Sequence, residues 1–524
     1  HPTTQLSNIV NATVLESGQE LPEPVVLEDL PTESMLEGLL FWEALEAMRV
    51  TAPNLVAVAG TNRFGENFGV LNDGSATGIS QRGTLNISPD DFNPEKIQVD
   101  EDDGIFAAGT PQVKVGATFA PITGVVGYSF GNYEIIPTEP VEVDTPSDLK
   151  PTTTELASSE TTLLVGTYNV LNLDPNDDDG DTDVANGRFE IIANHIVSNM
   201  NAPDIVALQE IQDDDGSEQT DSLSASTTLQ TLVDAIAAAD GPAYEFADNT
   251  FIELDMRGGQ PGANIRTAFL YNPERVTLSG VSTISGQAEG EAFFDARLPL
   301  VGTFRFIGNE VTIVNVHFSS KGGSAPIVGT TQPFGELQED PAVNGGVDER
   351  TIQASAVRDF VVDKENVIVL GDFNEFEFVS PVSTILGGEA GLVNLADKVE
   401  GDGEIYSFIF QGNSQALDHI LVSEGLFDEA AVDYVHVNCE FPSAPALGSD
   451  HDPLVATLMF ERMETEEPVD TAAPVMAPTN KTMTPSATPG ETMSPVAAPQ
   501  EAPADSSLGN ILEPLWFHWL LSLL

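Results

Sequence analysis

The chain has 524 residues, enough for more than one domain and a large core, so disulfides or metals are not needed merely to hold it together. Its 19 Lys+Arg against 83 Asp+Glu give a net charge of −64, which repels phosphate polyanions at long range. That balance excludes a non-specific nucleic-acid coat and asks for bridging cations in any phosphate chemistry; one cysteine, Cys439, excludes an internal disulfide framework and a multi-cysteine zinc site.

Residues 1–20 read as a flexible lead-in by their polar composition. His1 opens a stretch without the basic-then-apolar order of a signal peptide, so the start is expected to be processed or missing. Residues 21–137 read as a β-rich domain. Pro31-Thr-Glu-Ser34 can start a helix whose apolar positions include Leu36, Leu39, Leu40, Ala44, Leu45 and Met48. Short β-rich runs follow at 55–58, 113–119, 122–128 and 133–136, punctuated by Gly, Pro and Asn, and suggest a small barrel or sandwich. Trp42, Phe41 and Tyr133 are expected in its core, since few basic residues accompany them. Residues 138–160, rich in Pro, Thr and Glu, read as a linker.

From 161 to 462 one pattern recurs: a buried apolar strand ending in side chains able to hold metal or phosphate. Val367-Ile-Val-Leu-Gly-Asp-Phe-Asn374 is its clearest instance. The apolar run predicts a strand covered on both faces, and the i, i+2 spacing sends Asp372 and Asn374 the same way at its exit. Leu163–Val170 places Asn169 near a strand exit, and 204–211 delivers Glu210. Val311–His317 ends in His317, 416–422 carries Asp418, and Gly448-Ser-Asp-His451 presents Asp450 and His451 before a last strand at 454–458. Six such ends argue for one site at one rim of a sheet sandwich.

The ordered series Tyr168-Asn-Val, Leu208-Gln-Glu210, Asn315-Val-His317, Gly371-Asp-Phe-Asn374, Leu417-Asp418 and Gly448-Ser-Asp-His451 resembles the endonuclease/exonuclease/phosphatase superfamily, in its extracellular-nuclease branch. Phe41–Val50 and Val126–Tyr133 also resemble that branch, which tends to carry an oligonucleotide/oligosaccharide-binding-type (OB-like) barrel. The resemblance implies an α/β (α+β) fold: a four-layer sandwich of two packed sheets flanked by helices, preceded by a small OB-like β-barrel. It implies hydrolysis of a phosphodiester by direct attack of water with Mg²⁺ or Mn²⁺ as cofactor. Glu210 is a hard oxygen ligand for such an ion, and Asn169 and Asp450 can complete its shell. His451 matches the family histidine that pairs with a carboxylate, here Asp418, as general base or phosphate-stabilising imidazole. Asp372 and Asn374 would orient water and phosphate, and His317 would supply a second imidazole. Whether Asp372 or His451 takes the proton stays open.

Arg266, Arg297 and Lys321 lie near the catalytic motifs and are candidate phosphate contacts, with pairing to neighbouring carboxylates as the alternative. Asp177, Asp179, Asp181 and Asp183 alternate around Gly180, an array able to wrap Ca²⁺ or to form a plain solvated acidic loop. His195 and His419 are expected to pack or face solvent, and His436 has no constellation. Residues 463–510 read as a disordered Pro/Thr/Ser-rich tail, and 511–524 as a short hydrophobic terminus too interrupted to span a bilayer. Together with the resemblance these features predict a secreted or cell-surface nuclease acting on DNA, with RNA as the alternative nucleic acid. No obligate protein partner or transmembrane span is expected, and the C-terminus is a candidate weak membrane attachment. A sphingomyelinase-like or inositol-phosphate phosphodiesterase of the same fold, and an inactive surface-binding protein, are the alternatives.

Overall fold

The computed structural model describes residues 10–32, 34–101, 106, 109–254, 259–284, 291–327, 335–399, 403–443 and 447–463. The expected tail and hydrophobic terminus therefore lie outside the described residues, apart from Met463. Among the described residues no helix is long and apolar enough to cross a membrane.

The amino-terminal region runs β1 (Val25–Val26), α1 (Met35–Leu45), β2 (Arg49–Ala52), β3 (Leu55–Ala57), β4 (Asn67–Leu71), β5 (Ile97–Val99), β6 (Thr118–Phe119), β7 (Ile122–Ser129), β8 (Asn132–Pro137) and β9 (Val143–Thr145). These strands form one nine-stranded sheet in the order β1-β2-β7-β8-β5-β4-β3-β6-β9. No described ladder joins β1 to β9, so the barrel expected from sequence is not closed. Both end strands are short and largely exposed, which leaves too little pairing surface to complete a ring. Helix α1 starts where Ser34 Oγ accepts the Glu37 N–H at 3.2 Å. It buries Met35, Gly38, Trp42 and Leu45, while Leu36 and Leu40, expected on the apolar face, are exposed. Trp42 and Tyr133 stack in the core, as their surroundings predicted.

The expected linker is partly structured. It contains β9, and its later residues are strapped onto the catalytic region: Thr152 N–H donates to His436 O at 2.9 Å, and Thr154 N–H to Asn199 O at 2.9 Å.

Beyond it the chain runs β10 (Thr162–Leu173), α2 (Arg188–Asn194), β11 (Ile205–Ile211), α3 (Ser226–Ala238), β12 (Glu245–Asp248), β13 (Arg266–Tyr271), β14 (Thr277–Thr283), β15 (Leu300–Phe306) and β16 (Asn309–His317). It continues through α4 (Val347–Val361), β17 (Val367–Asp372), β18 (Leu392–Asn394), β19 (Phe408–Phe410), β20 (Asn413–Gln415), β21 (Asp418–Ser423), α5 (Glu424–Phe427), β22 (Ala431–Tyr434) and β23 (Leu454–Met459). Two six-stranded sheets result, ordered β12-β13-β11-β10-β23-β22 and β14-β15-β16-β17-β21-β18. Alternate residues of each central strand point to opposite faces. Val165, Ile205, Ile313 and Ile368 meet between the sheets. On the outer faces, Leu164, Val206 and Leu208 pack under α2 and α3, and Val314, Val367 and Val369 under α4 and the helical segment Pro381–Glu389. This is the four-layer sandwich the resemblance implied, and it explains the unbroken apolar runs of its central strands.

The two regions share a core. Val347, Phe376, Val379 and Leu417 join the same buried cluster as Trp42, Phe92, Ile97 and Tyr133. Arg82 reaches across to Glu440, whose side chain is fully buried, and Asn93 Nδ2 donates to Asn413 Oδ1 at 2.8 Å.

Candidate active site

Three strands bring three polar side chains into line. In the parallel pair β16/β17, His317 is the partner of Asp372, and in the antiparallel pair β17/β21, Asp372 is the partner of Asp418. Gly371 makes that row possible. Its φ is +135°, and a Cβ there would lie 2.1 Å from Val316 O, so no other residue fits beside β16.

The facing sheet supplies Asn169 and Glu210 through local irregularity. The β10/β11 register shifts between Asn169 and Leu173, and the β11/β13 register between Leu208 and Ile211. Glu210 has φ +60°, with Leu171 and Asn172 at +52° and +50°. Such bulges at strand ends re-aim side chains and cost backbone strain of about 1–3 kcal/mol per residue, which the surrounding structure must offset. Here they turn Glu210 toward the other sheet. Asn169 Nδ2 then donates to Glu210 Oε1 at 3.0 Å and to Asp372 Oδ2 at 3.1 Å, joining the sheets. Asn169 Oδ1 accepts the Leu171 N–H at 3.0 Å, so its amide nitrogen orients the two carboxylates while its oxygen, the atom expected from sequence to face an ion, keeps a second lone pair.

His317 Nε2 stands 3.5 Å from Asp372 Oδ2 and 3.7 Å from Glu210 Oε1, and its Nδ1 is buried without a partner. Asn374, at φ +49°, donates from Nδ2 to Asp372 Oδ2 at 3.2 Å and to Phe318 O at 3.1 Å, and its N–H donates to Asp372 Oδ1 at 2.8 Å. Its amide thus holds Asp372 in place.

His451 Nδ1 and Asp418 Oδ2 are 2.7 Å apart and both buried. Ser407 Oγ donates to the same Asp418 oxygen at 2.7 Å. Ser449 ties the histidine loop to β10, accepting the His451 N–H at 3.0 Å and donating to Asn169 O at 2.7 Å. Phe408 lies against the His451 ring, with 4.8 Å between centroids. Asp450 is exposed, and its charge reaches both Glu210 and His451.

Burial and crowding set the protonation states. Burial, then the Asp418 charge, push the Asp372 carboxyl up to about 7, against the opposing pull of His451. Glu210 is also raised, first by burial and then by Asp450. Burial opposes the charged form of His451, yet the Asp418 carboxylate and its hydrogen bond, with Asp372 and Asp450, hold that imidazole well above its ordinary range. His317 goes the other way, lowered well below it by burial and by the charges of Arg297 and His451. A neutral imidazole therefore sits opposite a cationic one across Asp372.

The candidate phosphate contacts divide. Arg266 is buried, donating to Leu223 O at 2.6 Å and lying 3.4 Å from Asp248, so it holds loops together and is withdrawn from that role. Lys321 Nζ is likewise engaged, by Glu375 at 2.8 Å and Asn344 at 2.6 Å. Pairing with carboxylates wins for both because burial leaves no room for an unneutralised cation. Arg297 donates to Phe318 O but feels Glu210 and Asp372, and its Nε is buried without a partner. It is the cation left beside the site.

Several supporting residues escaped the sequence reading. Ser407 is one; Asp452 is another, its Oδ1 accepting the N–H groups of Val437 at 2.9 Å and Asn438 at 2.6 Å. His436, read as isolated, bonds Asp452 Oδ2 at 3.1 Å. The adjacent carboxylate in Asp450-His-Asp452 was the available signal, since a buried Asp beside a strand demands partners. His419 packs within the core as expected, its Nε2 2.9 Å from Glu375 O.

Family comparison agrees with this architecture. A model described as the Endonuclease/Exonuclease/phosphatase family matches residues 166–451, and one described as a domain of unknown function matches residues 4–146. Solved structures similar to the chain include a humanized D. rerio TDP2 carrying 14 mutations, at 18% identity and TM-score 0.37, covering 58% of this chain and 100% of that one. An endonuclease/exonuclease/phosphatase family protein from Bacteroides thetaiotaomicron is similar at 18% identity and TM-score 0.37, covering 57% and 96%. The human Nocturnin catalytic domain with bound sulfate anion is similar at 17% identity and TM-score 0.39, covering 58% and 94%. No curated protein matches the chain.

Proposed function

Because the chain belongs to the endonuclease/exonuclease/phosphatase family, whose members are hydrolases acting on phosphodiester bonds, we propose that it is a metal-dependent nuclease that cleaves DNA outside the cell or at its surface. The observation that carries this reading is the meeting of Glu210, His317, Asp372 and the Asp418–His451 pair, which centres on Asp372.

The donor set fits a divalent cation. The part-exposed Glu210 and the buried Asp372 share one amide donor, and both carboxyls are pushed toward protonation, a crowding of negative charge that a divalent cation would neutralise. Glu210 and Asp450 would hold Mg²⁺ or Mn²⁺, which when bound supplies charge neutralisation at the phosphate and at the leaving oxygen. The remaining work falls to the chain. Asp372, steadied by Asn169 and Asn374 and titrating at about 7, accepts the proton of the attacking water. As the water oxygen bonds to phosphorus the bond to the leaving oxygen breaks, and His451, kept cationic by Asp418, stabilises charge on the transferring group. Arg297 adds positive potential from beneath.

A nucleic-acid substrate is supported by the rim. Phe408 packs against His451, and Phe410, two residues on along the same strand face, is exposed and free to stack a base. The net charge of −64 fits salty surroundings, where screening shortens repulsion between protein and DNA. The test is release of acid-soluble nucleotides from DNA and RNA in Mg²⁺, set beside choline-phosphate release from sphingomyelin vesicles. Nucleotide release supports the proposal. Choline-phosphate release alone replaces it with the lipid reading, and neither activity in folded, metal-bound protein replaces it with a binding role.

A further inference from the structure

The loop after β10 and the loop after β11 meet at a buried carboxylate. Asp174, Asp179 and Asp181 each bring one oxygen to within 4.8 Å of the others. Asp177 and Asp183, expected with them from the alternation around Gly180, are engaged elsewhere. Asp177 Oδ1 accepts the Val184 N–H at 2.9 Å, and Asp183 pairs with Arg188 and accepts the Asp174 N–H at 3.2 Å. The array in sequence is therefore not the array in space.

Asp174 points beyond a solvated acidic cluster. It is 0% exposed, its Oδ1 accepts the Asn176 N–H at 2.8 Å, and its Oδ2 is buried without a partner. A carboxylate taken out of water beside other carboxylates is strongly unfavourable unless a positive charge joins it. The second loop is shaped around the same point. Gly216, at φ +65°, passes so close that a Cβ would stand 2.3 Å from Asp179 Oδ2 and 2.7 Å from Asp174 Oδ1. Ser217 N–H donates to Asp179 Oδ2 at 2.7 Å, and Asn176 Nδ2 to Asp215 O at 2.9 Å.

We propose that Asp174, Asp179 and Asp181, all on the loop after β10, form a structural Ca²⁺ site against which the loop after β11 packs through Gly216 and Ser217. All three donors are hard oxygens on irregular loops, which suits the flexible shell of Ca²⁺ better than the strict octahedron of Mg²⁺. The strands that feed the two loops carry Asn169 and Glu210, so an ion ordering the first loop steadies the surface on which the second packs. The site stands independently of the hydrolytic reading.

The test uses the full chain stripped with EDTA and returned to Mg²⁺, with Ca²⁺ as the probe, read by equilibrium dialysis and by limited proteolysis mapped to residues 174–217. Wild type is expected to bind Ca²⁺ and to gain protection in that segment. Asp174→Asn and the exposed-site variant Asp181→Asn are expected to bind at least about tenfold more weakly, while Glu210→Gln binds as wild type. Absence of Ca²⁺ binding and protection in wild type, unchanged affinity in Asp181→Asn, or loss of Ca²⁺ binding in Glu210→Gln would each overturn the proposal.

Discussion

Asp418 and His451, 33 residues apart in sequence, form a buried pair at 2.7 Å, and Asp418 is also the strand partner of Asp372. The pair decides which imidazole is cationic. Burial lowers the pKa of His451, and Asp418 is the largest influence raising it, so removing that charge must bring the pKa down. If the protonated ring is the working form, Asp418→Asn moves the alkaline limb of the kcat profile to lower pH. Rates measured from acid to alkaline pH check this, and an unmoved limb would take the cationic histidine out of the mechanism.

Asn169 is a positioning residue with two acceptors in different sheets. Asn169→Ala leaves the part-exposed Glu210 and the buried Asp372 without their shared donor. It is expected to raise the Mg²⁺ requirement and lower kcat by about 100-fold, as loss of supporting residues around a metal does. Circular dichroism should show the fold intact, because the apolar neighbours Tyr168, Val170 and Leu173 and the β10/β11 pairing do not depend on the Asn169 amide. A changed KM for substrate at unchanged Mg²⁺ dependence would contradict the assignment.

The shared core predicts that the amino-terminal and catalytic regions unfold together. Arg82→Ala tests the contact between them: Glu440 has no exposed side-chain surface and would keep only neutral partners such as Tyr406, whose hydroxyl donates to it at 2.6 Å. The expected loss is about 3 kcal/mol, at the low end for breaking a buried pair because Arg82 is partly exposed. Denaturant unfolding followed by tryptophan fluorescence and by far-ultraviolet circular dichroism should give one coincident transition in wild type. Two separated transitions would show that the regions are independent.

The catalytic strands were legible because burial on both faces writes continuous apolar runs, as in Val367–Leu370, and because polar residues at their exits break those runs abruptly. The spatial row His317, Asp372, Asp418 follows from strand register, which sequence order alone does not state. Ser407 was invisible, since a serine before the short strand β19 carries no periodic signal. Arg266 and Lys321 looked like phosphate contacts because position near a motif does not reveal which carboxylate lies across the fold. The open edge of the first sheet was missed for a related reason: alternation predicts strands, while closure depends on the lengths of the first and last.

The most direct measurement of the central claim is the Mg²⁺ dependence of cleavage of a labelled phosphodiester oligonucleotide by wild type and by Glu210→Gln, each confirmed folded. Wild type should cleave with saturable Mg²⁺ dependence and stop in EDTA, and Glu210→Gln should be slower by about 100-fold or more. Cleavage that continues in EDTA, or a Glu210→Gln variant that matches wild type in rate and Mg²⁺ requirement, would contradict a metal-assisted site in which Glu210 holds the ion and Asp372 takes the proton.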